Sequence, residues 1–143
     1  MEAVSGRAAI AGIGQTAFAK RMGRSELDLA CEAVLAACED AGWPPEKVDG
    51  LTCYHVEQVS ELELMYSLGF ENLSFFAMVP SGGGGAASIV GLAAMAVAAG
   101  AARAVVAYRA RNRSKGASYG RGRNQGGRPW EKEGARLSDG RQW

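Results

Sequence analysis

Apolar positions along the first 110 residues follow two rhythms, short unbroken runs and longer stretches spaced by three and four. Arg7 to Gly14 (RAAIAGIG) is a short apolar run ending in glycine, which predicts a buried first strand. Gln15 to Arg24 reads as a loop. Ser25-Glu26-Leu27-Asp28 then has the form of a capping box, and Leu27, Ala30, Cys31, Val34, Leu35 and Cys38 recur at helical spacing. A helix from about Glu26 to Asp40 follows, stopping at Gly42 before Pro44. Val48 to Val56 is rich in β-formers and predicts a second strand. Ser60 to Leu68 predicts a short helix closed by Gly69. Leu73 to Val79 is a third strand, its apolar run too continuous for a face in water, and Ala104 to Tyr108 a fourth. Strands alternating with helices imply parallel pairing with helices covering the sheet.

Between the last two strands lies Ser81 to Ala102, which has no charged residue before Arg103. It begins with four consecutive glycines, Gly82 to Gly85, and continues as an Ala-rich helix that is apolar on every face. A surface helix keeps a polar stripe, so this pattern predicts a central helix enclosed on all sides. The run is long enough to cross a membrane, but Ala and Gly in place of Leu, Ile and Phe make a poor span. A glycine turn opening a helix brings backbone NH groups close to a ligand and favours negative charge there. Gly83, Gly84 and Gly85 are therefore candidate substrate-binding residues, suited to an oxyanion or phosphate; the alternative is that they only permit tight turn packing.

The 143 residues carry a net charge of +1, unevenly placed. Residues 1–110 have a balance of −5 and residues 111–143 a balance of +6, dividing an acidic body from a basic tail that reads as a Gly/Arg-rich loop or poorly ordered segment. In the tail, Arg111, Arg113, Lys115, Arg121, Arg123 and Arg128 can attract phosphates, although most basic runs are simply solvated and no nucleic-acid partner is expected; Trp130 and Trp143 are its largest anchors. Cys31, Cys38 and Cys53 are odd in number and lack CxxC spacing, and Cys31 and Cys38 share a helix face as packing residues rather than metal ligands. No metal site is expected. Met1 to Gly6 lacks the apolar core of a signal peptide, so a reducing cytoplasm is the expected location.

Taken in order, AAIAGIGQTAFAK, SELDLACEAVLAACEDAG, VDGLT, FFAMV, the glycine run, AAMAVAAG and AVVAYRA resemble the amino-terminal half of thiolase-like lipid-transfer proteins. Within that group the chain is most similar to bacterial aldolases that shorten steroid side chains as CoA thioesters. The resemblance covers roughly residues 7–120. It implies an α/β fold, a layered mixed sheet around a buried central helix, and a homodimer paired through Leu73 to Val79. It also implies a small partner with a zinc-ribbon and OB-fold domain. CoA enters as part of the substrate, its phosphates being what the basic tail can attract in preference to nucleic acid, and no cofactor is expected in this chain.

True thiolases carry a nucleophilic cysteine in the turn before the central helix, and the matching place here, near Gly83, is glycine. Condensation or thiolysis through an acyl-enzyme needs a thiolate and a nearby base. Ser81 and Ser88 are turn and helix-packing residues in preference to substitute nucleophiles, because the only histidine, His55, lies on another strand. A retro-aldol cleavage needs no covalent nucleophile: a base takes the β-hydroxyl proton, and the thioester enolate is stabilised and reprotonated.

His55 and Glu57, two apart on a predicted strand, share a face and form either an acid–base pair or a structural pair at a strand end. Tyr54 and Tyr108 read as core residues in preference to pocket-edge ones. Thiolase-like chains are much longer, and their second half supplies the histidine and other catalytic groups. The catalytic residues are thus expected outside this chain, which reads as a fragment, a truncation or one subunit of a split protein. Two functions fit: a retro-aldol lyase acting on a β-hydroxy acyl-CoA with a steroid-like side chain, or a non-catalytic lipid-carrier or scaffold subunit.

Overall fold

A computed structural model describes residues 5–19, 23–55, 57–80 and 84–112. In chain order these form α1 (Glu26–Ala41), a single 3-10 turn (Pro45–Lys47), β1 (Gly50–Tyr54), α2 (Glu61–Leu68), β2 (Phe75–Val79), α3 (Gly85–Ala98) and β3 (Val105–Tyr108).

Both helices on the first face begin where the sequence signals them. The Ser25 hydroxyl accepts from the Asp28 N–H at 3.0 Å, and α1 ends at Gly42 in the left-handed region, φ 62°. At α2 a complete capping box forms: the Ser60 hydroxyl accepts from the Glu63 N–H at 3.2 Å, and the Glu63 carboxylate accepts from the Ser60 N–H at 3.0 Å. Arg24 bridges Asp28 and Glu32 along α1, but the three side chains are too exposed for the pairs to add much stability.

The sheet order is β2-β1-β3, and both pairings are parallel. Gly50 of β1 stands opposite Phe75 of β2 and Val105 of β3, and Cys53 opposite Met78 and Tyr108. Side-chain alternation along β1 divides the layers. Leu51 and Cys53 enter a core with Ala30, Val34 and Cys38 of α1, Leu64 of α2, and Phe70. Thr52 and Tyr54 meet α3 on the other face, where the Thr52 hydroxyl donates to the Ile89 carbonyl at 3.1 Å. Asp49 ties the sheet's entrance together: its Oδ1 accepts from the Arg103 and Ala104 N–H groups, both at 2.9 Å, fixing the turn into β3.

The α/β class, the layering and the parallel pairing agree with the sequence reading, but two details differ. First, Arg7 to Gly14 forms no strand. It runs in irregular conformation against α1, with the Ile13 N–H donating to Asp40 Oδ2 at 2.8 Å, while Ile10 and Ile13 are each 74% exposed. Gly12 and Gly14 are needed there, since a Cβ on either would overlap the backbone of α1 at Ala37 and Ala33. An apolar run specifies extended backbone, not its partner.

Second, α3 is enclosed only on the side that meets the sheet: Gly85, Ile89, Ala93 and Ala96 are buried, whereas Val90 and Met95 are 44% and 56% exposed. Those buried positions recur at helical spacing, so one stripe packs and the opposite stripe stays open on this chain. Among the described residues no helix is long and apolar enough to cross a membrane. Cys31 and Cys38 pack as expected, and burial pushes both thiols up.

Candidate functional site

In a parallel sheet the carboxyl ends of the strands open on one side, and a helix following a strand begins there. β1 ends at Tyr54, β3 at Tyr108, and α3 starts at Gly85 after β2. The Tyr54 ring is the hub of that edge. A Cβ built on Gly85 would overlap its Cε2 and lie 2.6 Å from its Cδ2. His55 stands edge-on to the ring, centroids 4.6 Å apart at 83°. The Arg109 guanidinium lies over it, 5.6 Å from the centroid, at a cation–π distance.

Glu57 supplies the charge beneath this edge. The chain turns at His55, whose N–H donates to the Val79 carbonyl at 3.1 Å, and the Glu57 N–H then donates to the Tyr54 carbonyl at 2.9 Å. The Glu57 side chain is completely buried. Its Oε2 accepts from the Ala110 N–H at 2.7 Å, and its Oε1 faces Arg109 Nε at 3.6 Å, too far for a hydrogen bond. Burial pushes the Glu57 carboxyl up to about 7, against the opposing pull of the Ala110 N–H and of Arg109 and Arg111. Nearby, the Tyr108 hydroxyl donates to the Val59 carbonyl at 3.1 Å, and burial pushes that phenol well above its usual range.

The predicted glycines fall into distinct settings. Gly83 lies outside the described residues, as do Ser81, Val56 and the tail residues Arg113, Lys115, Arg121, Arg123, Arg128, Trp130 and Trp143. Gly84 is the exposed N-cap of α3, and a Cβ there would meet nothing within 4 Å. Gly85 is buried, and Tyr54 alone accounts for its lack of a side chain. The Ala87 and Ser88 N–H groups both donate to the Gly84 carbonyl, at 3.1 and 3.0 Å, so only the N–H groups of α3 ahead of Ala87 are left without a helical partner. Ser88 packs as a helix serine, its hydroxyl donating to the Gly84 carbonyl at 3.1 Å.

His55 and Glu57 do not pair. The strand ends at Tyr54, so its alternation does not carry on, leaving His55 exposed and Glu57 buried toward Ala110 and Arg109. Tyr54 and Tyr108 are both buried, as expected of core residues. Sequence reasoning missed the Glu57–Arg109 pair. The available signal was the parallel register, in which Cys53 opposite Tyr108 sets Tyr54 beside Arg109 at the strand ends.

No family model matches the chain. It is 52% identical over 122 residues to the steroid side-chain-cleaving aldolase of Thermomonospora curvata, an alignment covering 85% of this chain and 31% of that protein. It is 50% identical over 117 residues to the 17-hydroxy-3-oxo-4-pregnene-20-carboxyl-CoA lyase of Mycobacterium tuberculosis, covering 82% of this chain and 30% of the lyase. Among solved structures it is similar to the Ltp2-ChsH2(DUF35) aldolase, with a TM-score of 0.77 and 52% identity over 81% of this chain and 30% of that one. A 3-oxoacyl-[acyl-carrier-protein] synthase III from Aquifex aeolicus shares the fold at a TM-score of 0.51 but only 14% identity, over 60% of this chain and 29% of the synthase. The fold is thus thiolase-like, and the chain spans about a third of the length of the relatives it matches.

Proposed function

We propose that this chain is the thiolase-like amino-terminal part of a retro-aldol lyase that cleaves a β-hydroxy acyl-CoA bearing a steroid-like side chain. The observation that carries this reading is the identity of half of all aligned positions with a steroid side-chain-cleaving aldolase and with a steroid carboxyl-CoA lyase. The glycine near position 83, where thiolases place their cysteine, is compatible with a cleavage that forms no acyl-enzyme.

In this reading the α3 N-terminus faces the thioester oxygen. Its N–H groups and the helix dipole stabilise the enolate that forms as the carbon–carbon bond breaks. Gly84, open to its surroundings, leaves room for the thioester. The base that takes the hydroxyl proton comes from the remainder of the lyase. A homodimer through β2 accords with its place at the edge of the sheet and its half-buried side chains. A zinc-ribbon and OB-fold partner, a cytoplasmic location and a place in the lipid-transfer group complete the reading.

The test is to supply a complex containing this chain with a steroid β-hydroxy acyl-CoA and separate the products. A ketone and a short acyl-CoA in equal amounts are expected.

A further inference from the structure

Where β1 leaves the sheet, β3 loses its hydrogen-bonding neighbour. Cys53 and Tyr108 are the last residues paired between the two strands. The Tyr54 carbonyl then accepts from the Glu57 N–H at 2.9 Å, which turns the chain away. Residues 109–112 run on past this point, and carboxylates take the place of a strand beside them. The Ala110 N–H donates to Glu57 Oε2 at 2.7 Å, and the Asn112 N–H donates to Glu26 Oε1 at 3.0 Å. The Asn112 side-chain amide also donates to the Arg24 carbonyl at 2.6 Å, so the far end is held twice at the entrance to α1.

The two holds differ in kind. The Asn112 bonds are only partly buried, whereas the Glu57 side chain is wholly withdrawn from water, with no hydrogen-bond donor on Oε1 and Arg109 Nε stopping 3.6 Å away. A buried carboxyl oxygen without a donor is tolerated while the group carries a proton and is costly once it ionises. Water can supply the missing donors only if residues 109–111 lift away. We infer that residues 109–112 form a strap across the carboxyl edge of the sheet, anchored at Asn112 and fastened at Ala110 by Glu57, which holds while its carboxyl is protonated and releases when it ionises. Arg109 rides on this strap over the Tyr54 ring, so release uncovers the ring that meets Gly85 at the start of α3.

The groups facing Glu57 set the direction of the switch. Arg109 and Arg111, on the strap itself, favour the ionised form, as does the Ala110 N–H, while Glu26 at the start of α1 opposes it. Tyr108 of β3 is kept protonated by burial, Glu61 opens α2 near it, and His55 stands exposed at the end of β1. Burial outweighs the strap's charges and raises the Glu57 carboxyl from 4.5 to about 7, whereas a released Glu57 in water keeps its ordinary value. The advantage of the closed strap is therefore complete below about 4.5 and is lost as pH rises through 7.

Native-state hydrogen exchange of the full chain, with any polypeptide that co-purifies, reads the strap at the Ala110 amide once the intrinsic pH dependence of exchange is removed. Protection there should fall about tenfold between pH 6 and pH 8. Glu57→Gln, which still accepts from Ala110 but does not titrate, should abolish the fall. Low denaturant separates a moving strap from a weakened fold: exchange at Ala110 should not respond, while exchange at the fully buried Leu51 of β1 should speed up. Constant protection at Ala110, a fall that Glu57→Gln retains, or Ala110 exchange that follows denaturant as Leu51 does would each overturn the inference. If Glu57→Gln does not fold, Arg109→Gln decides. Removing the nearest cation should move the loss of protection to higher pH, and a loss at the parent's pH would overturn the inference again.

Discussion

The Tyr54 ring occupies the space into which a side chain at Gly85 would project. This contact joins β1 to the first turn of α3 and explains one glycine of the run without a ligand. Gly85→Ala should therefore overpack the junction and destabilise the fold by about 1–3 kcal/mol. Gly84→Ala, where a Cβ meets nothing and φ is −80°, should be neutral or slightly stabilising. Thermal melts of the two variants check the contrast, and equal melting points would contradict it.

Much of the fold was legible in local pattern. The Ser25 and Ser60 caps, the stops at Gly42 and Gly69, and the runs at Leu51 and Phe75 appear where their chemistry requires. What failed was non-local. The run around Ile10 looks like a strand because its apolar residues continue unbroken to a glycine, yet it packs by Gly12 and Gly14 on α1. The site was legible only as a place. The glycine run marked the edge, but Tyr54 against Gly85 and Glu57 against Ala110 are contacts across 31 and 53 residues, which periodicity does not report.

Glu57 makes stability depend on pH. Its carboxyl is raised from 4.5 to about 7 in the fold, so between those values the native state binds the extra proton. The stabilisation is complete below about 4.5 and is lost as pH rises through 7, amounting to at most about 3 kcal/mol from this group. Denaturant midpoints of the parent should therefore fall between pH 5 and pH 8 relative to Glu57→Gln. Parallel pH profiles for the two proteins would show that the carboxyl is not perturbed.

The two sides of α3 should respond oppositely to charge. Ala93 is buried against the sheet, so Ala93→Glu leaves an unpaired carboxylate that costs several kcal/mol, enough to prevent folding of a domain stable by roughly 5–15 kcal/mol. Met95 is exposed, and Met95→Glu should fold with a melting point within a few degrees of the parent. Circular dichroism of both variants checks this.

At the α3 N-terminus, Gly84→Val adds bulk on the open side and should keep the fold while weakening acyl-CoA binding by about tenfold or more. Unchanged affinity in the folded variant would move the thioester away from this turn.

The most direct measurement of the proposed function is product analysis with a steroid β-hydroxy acyl-CoA and a complex containing this chain, alongside a thiolysis assay with a 3-oxoacyl-CoA and free CoA. The account predicts a ketone and a short acyl-CoA in equal amounts, without a covalent acyl-enzyme, and no thiolysis. Thiolysis that follows the amount of protein through purification, or an intact β-hydroxy acyl-CoA after incubation with the complete complex, would contradict it.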